Sequence, residues 1–218
     1  MNFKPHQTLD IIKPYLPNNP IVVEAGAFTG SDSIRMANYW PKATIHSFEP
    51  VSELFVSLQS KTIEYENIEC YNLALSNNNG FGSLYLSIKP DKNNRITQAS
   101  SLLTPKKFIQ TSRISFPKTI PIQTTTLDSW AHKNAINHID LLWLDTQGHE
   151  LSILKASPSI LQKTKIVHVE VATVERYHNQ PLYSEVKTWL EENGFKELGR
   201  DFDIQKRHFG NAIFLRSN

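Results

Sequence analysis

Apolar residues along this chain fall into two rhythms. Short apolar or alternating runs recur at 21–23, 43–48, 68–72, 82–88, 139–144 and 165–171, and the stretches between them carry apolar positions three and four apart. The first rhythm predicts strands and the second predicts helices packed on a sheet. The run Ile139-Asp140-Leu141-Leu142-Trp143-Leu144 is apolar almost throughout, as in a strand buried on both faces of a parallel sheet. Segment 82–88 alternates instead, with Leu84, Leu86 and Ile88 opposite Ser83, Tyr85 and Ser87, so a half-buried antiparallel strand is expected there. Helices are expected over 31–39, closed by Trp40-Pro41, and over 52–61, with Leu54, Phe55 and Leu58 on one side. Further helices should follow Trp130 and Gly148, and one over 182–193 should turn Val186, Trp189 and Leu190 inward and stop at Asn193-Gly194. A short lead-in helix over 8–16 is weakened by Pro14. Segments 195–199 and 211–215 should pair as a closing antiparallel hairpin. Strands alternating with helices predict a doubly wound α/β sheet.

Composition narrows the class. The 218 residues suit one domain spanning 1–218, and 39% hydrophobic residues can fill its core. A formal charge of +2, from 23 basic and 21 acidic residues, gives no global case for nucleic acid or a membrane surface. Cys70 stands alone, which fits a reducing compartment, and its apolar neighbours suggest a small core residue. No stretch approaches the roughly 20 apolar residues of a membrane span, and the start has no signal-type run, so a cytoplasmic protein is expected. Between 89 and 118 the pattern dissolves into polar sequence carrying Lys92, Arg95, Lys106, Lys107, Arg113 and Lys118. Long irregular segments in compact domains are often lids, so this one is expected to cover the site and hold the acceptor.

The candidate chemistry begins at Ile21-Val22-Val23-Glu24-Ala25-Gly26-Ala27-Phe28-Thr29-Gly30, where a strand runs into a glycine-bearing loop and Ser31-Asp32 opens a helix. Such a unit begins a nucleotide-binding sheet, and glycine lets a ligand approach the backbone. The spacing is not the Gly-x-Gly of the dinucleotide fingerprint. At this strand end the Glu24 carboxylate would repel a pyrophosphate and attract an ammonium, such as that of S-adenosylmethionine. Glu49 ends the second strand beside the first loop, where its two oxygens match vicinal ribose hydroxyls. Asp145 ends the apolar strand and Glu170 the next one, both at the same rim.

These segments resemble a known family, the FkbM-type S-adenosylmethionine-dependent methyltransferases. The matching pieces are the first loop, Ser47-Phe48-Glu49-Pro50, Asn72-Leu73-Ala74-Leu75-Ser76, Ser100-Ser101-Leu102, Thr126-Leu127-Asp128-Ser129, and the run from Ile139 to Glu150 with Asp145-Thr146-Gln147-Gly148-His149-Glu150 at its end. The resemblance implies a class I methyltransferase fold, a seven-stranded, mostly parallel sheet with one antiparallel strand. It implies S-adenosylmethionine as cofactor and O-methylation of a hydroxyl on a sugar, polyketide or related small-molecule or glycan acceptor. Cofactor contacts are expected from Glu24, Gly26, Ala27, Phe28, Thr29, Gly30, Ser33, Glu49, Pro50, Asn72, Ala74 and Asp145, with Ser100 and Ser101 toward the acceptor. Glu24 stands where many members have Asp, which keeps the charge.

In-line methyl transfer needs mainly positioning, and a hydroxyl acceptor also needs a base. Asp145, His149, Glu150 and Glu170 are the candidates. Asp145 could instead hold the methionine end, Glu150 could serve its helix N-terminus, and Asp145, His149 and Glu150 together offer a less favoured metal set, so no metal is expected. The rival classes are a nicotinamide-dependent oxidoreductase, which lacks its Gly-x-Gly start here, and a catalytically silent cofactor-binding module.

Overall fold

The computed structural model describes residues 2–90, 92–109, 113–205 and 208–217. In chain order its elements are α1 (Thr8–Ile12), β1 (Ile21–Ala25), α2 (Ser31–Tyr39), β2 (Thr44–Phe48), α3 (Ser52–Thr62), β3 (Ile68–Tyr71), β4 (Ala74–Leu75), β5 (Gly80–Lys89) and β6 (Arg95–Ile96). They continue as β7 (Ser115–Thr125), α4 (Leu127–Lys133), β8 (Ile139–Leu144), α5 (Glu150–Lys155), α6 (Pro158–Leu161), β9 (Thr164–Ala172), α7 (Tyr183–Glu192), β10 (Phe195–Arg200) and β11 (Phe209–Arg216). Pro14 shortens α1, and the chain goes on as a 3-10 turn over Lys13–Tyr15.

Seven strands form one sheet in the order β10-β11-β9-β8-β1-β2-β3. The pairs β1/β2, β1/β8, β2/β3 and β8/β9 are parallel. Strand β11 runs antiparallel to both β9 and β10, so it is the one reversed strand of this sheet, as the family resemblance implied. Successive side chains of a strand point to opposite faces, and here both faces are covered. Val23, Leu142 and Val167 enter one apolar cluster with Trp130 and Leu154, while Val22, Leu141 and Ile166 enter the other with Met36 and Trp40. Asp140, the acid within β8, accepts the Ile21 N–H at 2.8 Å. Cys70, expected in the core, is only partly buried on edge strand β3.

A second sheet, β4-β7-β5-β6, lies at one side, and β7 is where the sequence reading fell short. Pro117 and Pro121 disguise it, since proline cannot donate to a ladder. Pro121 lies opposite Ser83, and neighbouring Tyr85 exchanges its backbone bonds with Ser101 rather than with β7. Odd positions of β5 therefore face away from β7, and Pro121 sits in a non-bonded pair where no N–H is needed. The segment expected as an irregular lid thus holds β6 and the start of β7. Asp91 and residues 110–112 of it lie outside the described residues. Among the described residues no helix is long and apolar enough to cross a membrane.

Candidate active site

The strand order turns back at β1, whose neighbours are β2 on one side and β8 on the other, and a crevice opens at the carboxyl ends of these strands. It encloses about 910 Å³ including its open mouth. Gly26, Ala27 and Phe28 form its floor. Gly26 has φ +89, and a Cβ there would lie 1.9 Å from the Asp145 carbonyl oxygen, so only glycine lets β1 and β8 end so close together. The N–H groups of Gly26 and Ala27 both donate to the Phe48 carbonyl at 3.0 Å, which ties the loop to β2. Phe28 follows with φ 52. Thr29 and Gly30 lie beyond the lining, and Gly30, at φ +87, caps α2.

The two acids of β1 and β2 stand differently. Glu24 is buried behind the loop, where its Oε2 accepts from Ser33 Oγ and, at 2.9 Å, from Ser47 Oγ; neither it nor Ser33 lines the crevice. Burial pushes its carboxyl up to about 7. Glu49 does line the crevice, accepting the N–H of Phe28 at 3.0 Å and that of Val51 at 2.8 Å. Desolvation raises it to about 7 as well, against the pull of those two donors. Asn72 directs its amide to the Glu49 and Pro50 carbonyls, both at 3.0 Å, so it shapes the turn while Pro50, Leu73 and Ala74 face the crevice.

At the end of β8 the four candidate bases separate. Asp145 lines the crevice, and burial, with Asp32 nearby, raises its carboxyl. Glu150 accepts the N–H groups of Thr146 at 2.8 Å and Gly148 at 3.1 Å, which fastens the loop that begins α5. His149 points to Ser76 Oγ at 3.0 Å, and burial lowers its imidazolium to about 4. Glu170 is linked to Asp145 through Gln147, whose Nε2 lies 2.8 Å from both carboxylates. Of the four, only Asp145 lines the crevice. Among the described residues no three His, Cys, Asp or Glu side chains are grouped to hold a metal ion.

The opposite wall comes from the expected lid. Thr97, Gln98, Ser100 and Leu102 line it, and Ser101 fastens it by donating to the Gln147 carbonyl at 2.8 Å. Asp32, Gln147 and Tyr177 were not assigned to the site from sequence. Asp32 read as a helix-capping residue, yet it faces the crevice.

The lining fits a nucleoside that carries positive charge. Asp32, Glu49 and Asp145 supply acceptors, Phe28, Leu54, Leu84 and Leu102 supply an apolar end, and no Lys, Arg or His is among the described lining residues. Thr146 Oγ1, also on the lining, is buried without a hydrogen-bond partner among the described residues. Buried polar atoms are rarely left so, and a bound ligand would satisfy this one.

Comparison with known proteins agrees with this geometry. The family model for the methyltransferase FkbM domain matches residues 24–197. The 2-O-methyltransferase NoeI of Sinorhizobium fredii (strain NBRC 101917 / NGR234) is 25% identical over 163 residues, covering 74% of this chain and 67% of that protein. A putative rRNA-methylase from Clostridium thermocellum superposes with TM-score 0.57 at 10% identity, covering 100% of this chain and 98% of that one. Magnesium protoporphyrin IX methyltransferase from Synechocystis PCC 6803, solved with bound S-adenosylmethionine, gives 0.52 at 16% identity, with 97% and 79% covered. The fold is that of the class I methyltransferases.

Proposed function

The chain belongs to the FkbM methyltransferase family, and on that premise we propose that it transfers the methyl group of S-adenosylmethionine to a hydroxyl oxygen of a sugar or related small acceptor in the cytoplasm. The observation that carries the reading is the lining itself: three carboxylates and an apolar end at a sheet switch point, with no basic side chain among the described lining residues to receive a pyrophosphate. The name of NoeI supports oxygen as the methylated atom.

When bound, the cofactor supplies an electrophilic methyl on a sulfonium. The protein's part is placement. Glu49 keeps outward-facing lone pairs for the two ribose hydroxyls, because each oxygen already holds one backbone donor. Phe28, Leu54 and Leu84 flank an apolar slot suited to adenine. Asp145, facing the crevice with its carboxyl raised by burial, is suited to take the acceptor's proton. The 97–102 wall brings Thr97, Gln98, Ser100 and Leu102 to the crevice, polar and apolar groups that an acceptor can meet.

Calorimetric titration tests the cofactor. Micromolar binding of S-adenosylmethionine or S-adenosylhomocysteine, with none of NAD or NADP, is expected, and the converse overturns the reading. Transfer of labelled methyl to a panel of methyl glycosides then tests the acceptor class; labelling at carbon or nitrogen would overturn O-methylation.

A further inference from the structure

Gln147 has its side chain held at both the amide nitrogen and the oxygen. Its backbone lies in the left-handed region at φ 56, which side-chain-bearing residues seldom adopt. Its two amide hydrogens serve carboxylates at the ends of adjacent strands, Asp145 after β8 and Glu170 on β9, each at 2.8 Å. The single hydrogen of the Tyr177 hydroxyl is shared between the Ala99 carbonyl at 2.7 Å and Gln147 Oε1 at 3.2 Å. The Gln147 backbone carbonyl receives Ser101 Oγ, which in turn accepts the Leu103 N–H at 3.0 Å. Two separate links therefore run from the 97–103 wall to one residue, one to its backbone carbonyl and one to the side chain that holds the crevice carboxylate.

We propose that Gln147 is the positioning residue of this site, fixing the Asp145 carboxylate and joining it through Tyr177 and Ser101 to the wall across the crevice. The proposal rests on the methyl-transfer reading. Asn would be too short to reach both acids, and Glu would set a third carboxylate between them. The groups facing Asp145 are Glu24 from β1, Asp32 from α2, Glu150 from α5, Glu170 from β9, and Arg176 and Tyr177 from the segment that follows. All but Arg176 and Tyr177 are acids, and Arg176 Nη1 lies 3.9 Å from Glu170 rather than on Asp145. Gln147 supplies the hydrogen bond that favours ionised Asp145 in this acidic surrounding.

The test is the affinity of the full chain for S-adenosylmethionine as a function of pH. Gln147→Met keeps length and removes the donor. Its affinity should fall by up to about tenfold along the acid limb of the profile, which moves up by about one unit, and converge on wild type at alkaline pH, where both forms are ionised. Tyr177→Phe should move it in the same direction by less, and amide exchange over 99–103 should quicken in both variants while β1 and β8 stay protected. If Gln147→Met does not fold, Tyr177→Phe decides. A pH-independent loss, or none, overturns the proposal. Wild-type protein that binds no S-adenosylmethionine at any pH overturns the methyl-transfer reading, and the proposal with it.

Discussion

The Phe28 N–H donates to Glu49 Oε2 at 3.0 Å, so the acid that ends β2 holds the left-handed corner of the loop that ends β1. One carboxylate thus shapes the floor of the crevice and faces its interior.

Glu49→Ala should weaken S-adenosylhomocysteine binding about 10- to 150-fold, the equivalent of roughly 1.5–3 kcal/mol for hydrogen bonds to a charged group. The loss of the Phe28 anchor adds to the effect. Calorimetry on a variant whose circular dichroism matches wild type checks it. Unchanged affinity would remove Glu49 from the ribose site.

Gly26→Ala should disrupt the sheet end itself. The added Cβ would meet the Asp145 carbonyl oxygen at 1.9 Å on a backbone at φ +89. Relief requires β1 and β8 to part, at a cost of about 3 kcal/mol or more, which lowers the melting temperature by roughly 6–12 °C in a chain of this size. Equal melting temperatures would show that the loop shifts freely.

The central sheet was legible because strands buried on both faces carry successive apolar positions, as 141–144 and 166–167 do. Glu49 and Asp145 were legible because each directly follows a predicted strand. Other features depend on partners far away in sequence. The serine pair at 100–101 stood out, but Ser101 owes its role to Gln147, 46 positions on. Tyr177 reaches Ala99 across 78 positions, and nothing local marks it. His149 and Glu150 look like an acid–base pair in the chain, yet their neighbours turn them to Ser76 and to the loop backbone. Pro117 and Pro121 hid β7 because the N–H groups they lack are dispensable only once the pairing with β5 is known.

Buried acids should govern stability above pH 6.5. Glu24, Glu49 and Glu150 are each raised to about 7 by burial, so the folded chain holds protons there that the unfolded chain has released. Their contribution is fully favourable below about 4.5 and is lost as pH rises through 7. His149 and His168, lowered to about 4 and about 3, act in the opposite sense but only below 6.5, where the unfolded imidazoles charge. From pH 6.5 to 8 the acids act alone, and stability of the ligand-free chain should fall by about 2 kcal/mol. Urea midpoints at constant ionic strength check it; a rise over that interval would mean these carboxylates find partners that keep them charged.

Glu24→Gln separates two roles for the same acid. If Glu24 acts through its charge on the ligand's ammonium, as the sequence suggested, neutralising it should weaken S-adenosylmethionine binding tenfold or more. The structure supports the other outcome. The carboxylate accepts from Ser33 and Ser47, is only 2% exposed and lies behind the lining, so Gln can keep the acceptor and remove only the buried charge. Affinity at pH 5.5, where a folded pKa of about 7 leaves wild-type Glu24 already uncharged, should then change less than about threefold. Stability should report the change instead. With a folded pKa of about 7, wild-type Glu24 is protonated at pH 5.5 and ionised without a cation partner at pH 8. The variant should therefore gain about 2 kcal/mol relative to wild type between those two pH values. A constant difference in urea midpoint at both pH values, together with a large loss of affinity, would return Glu24 to the ligand.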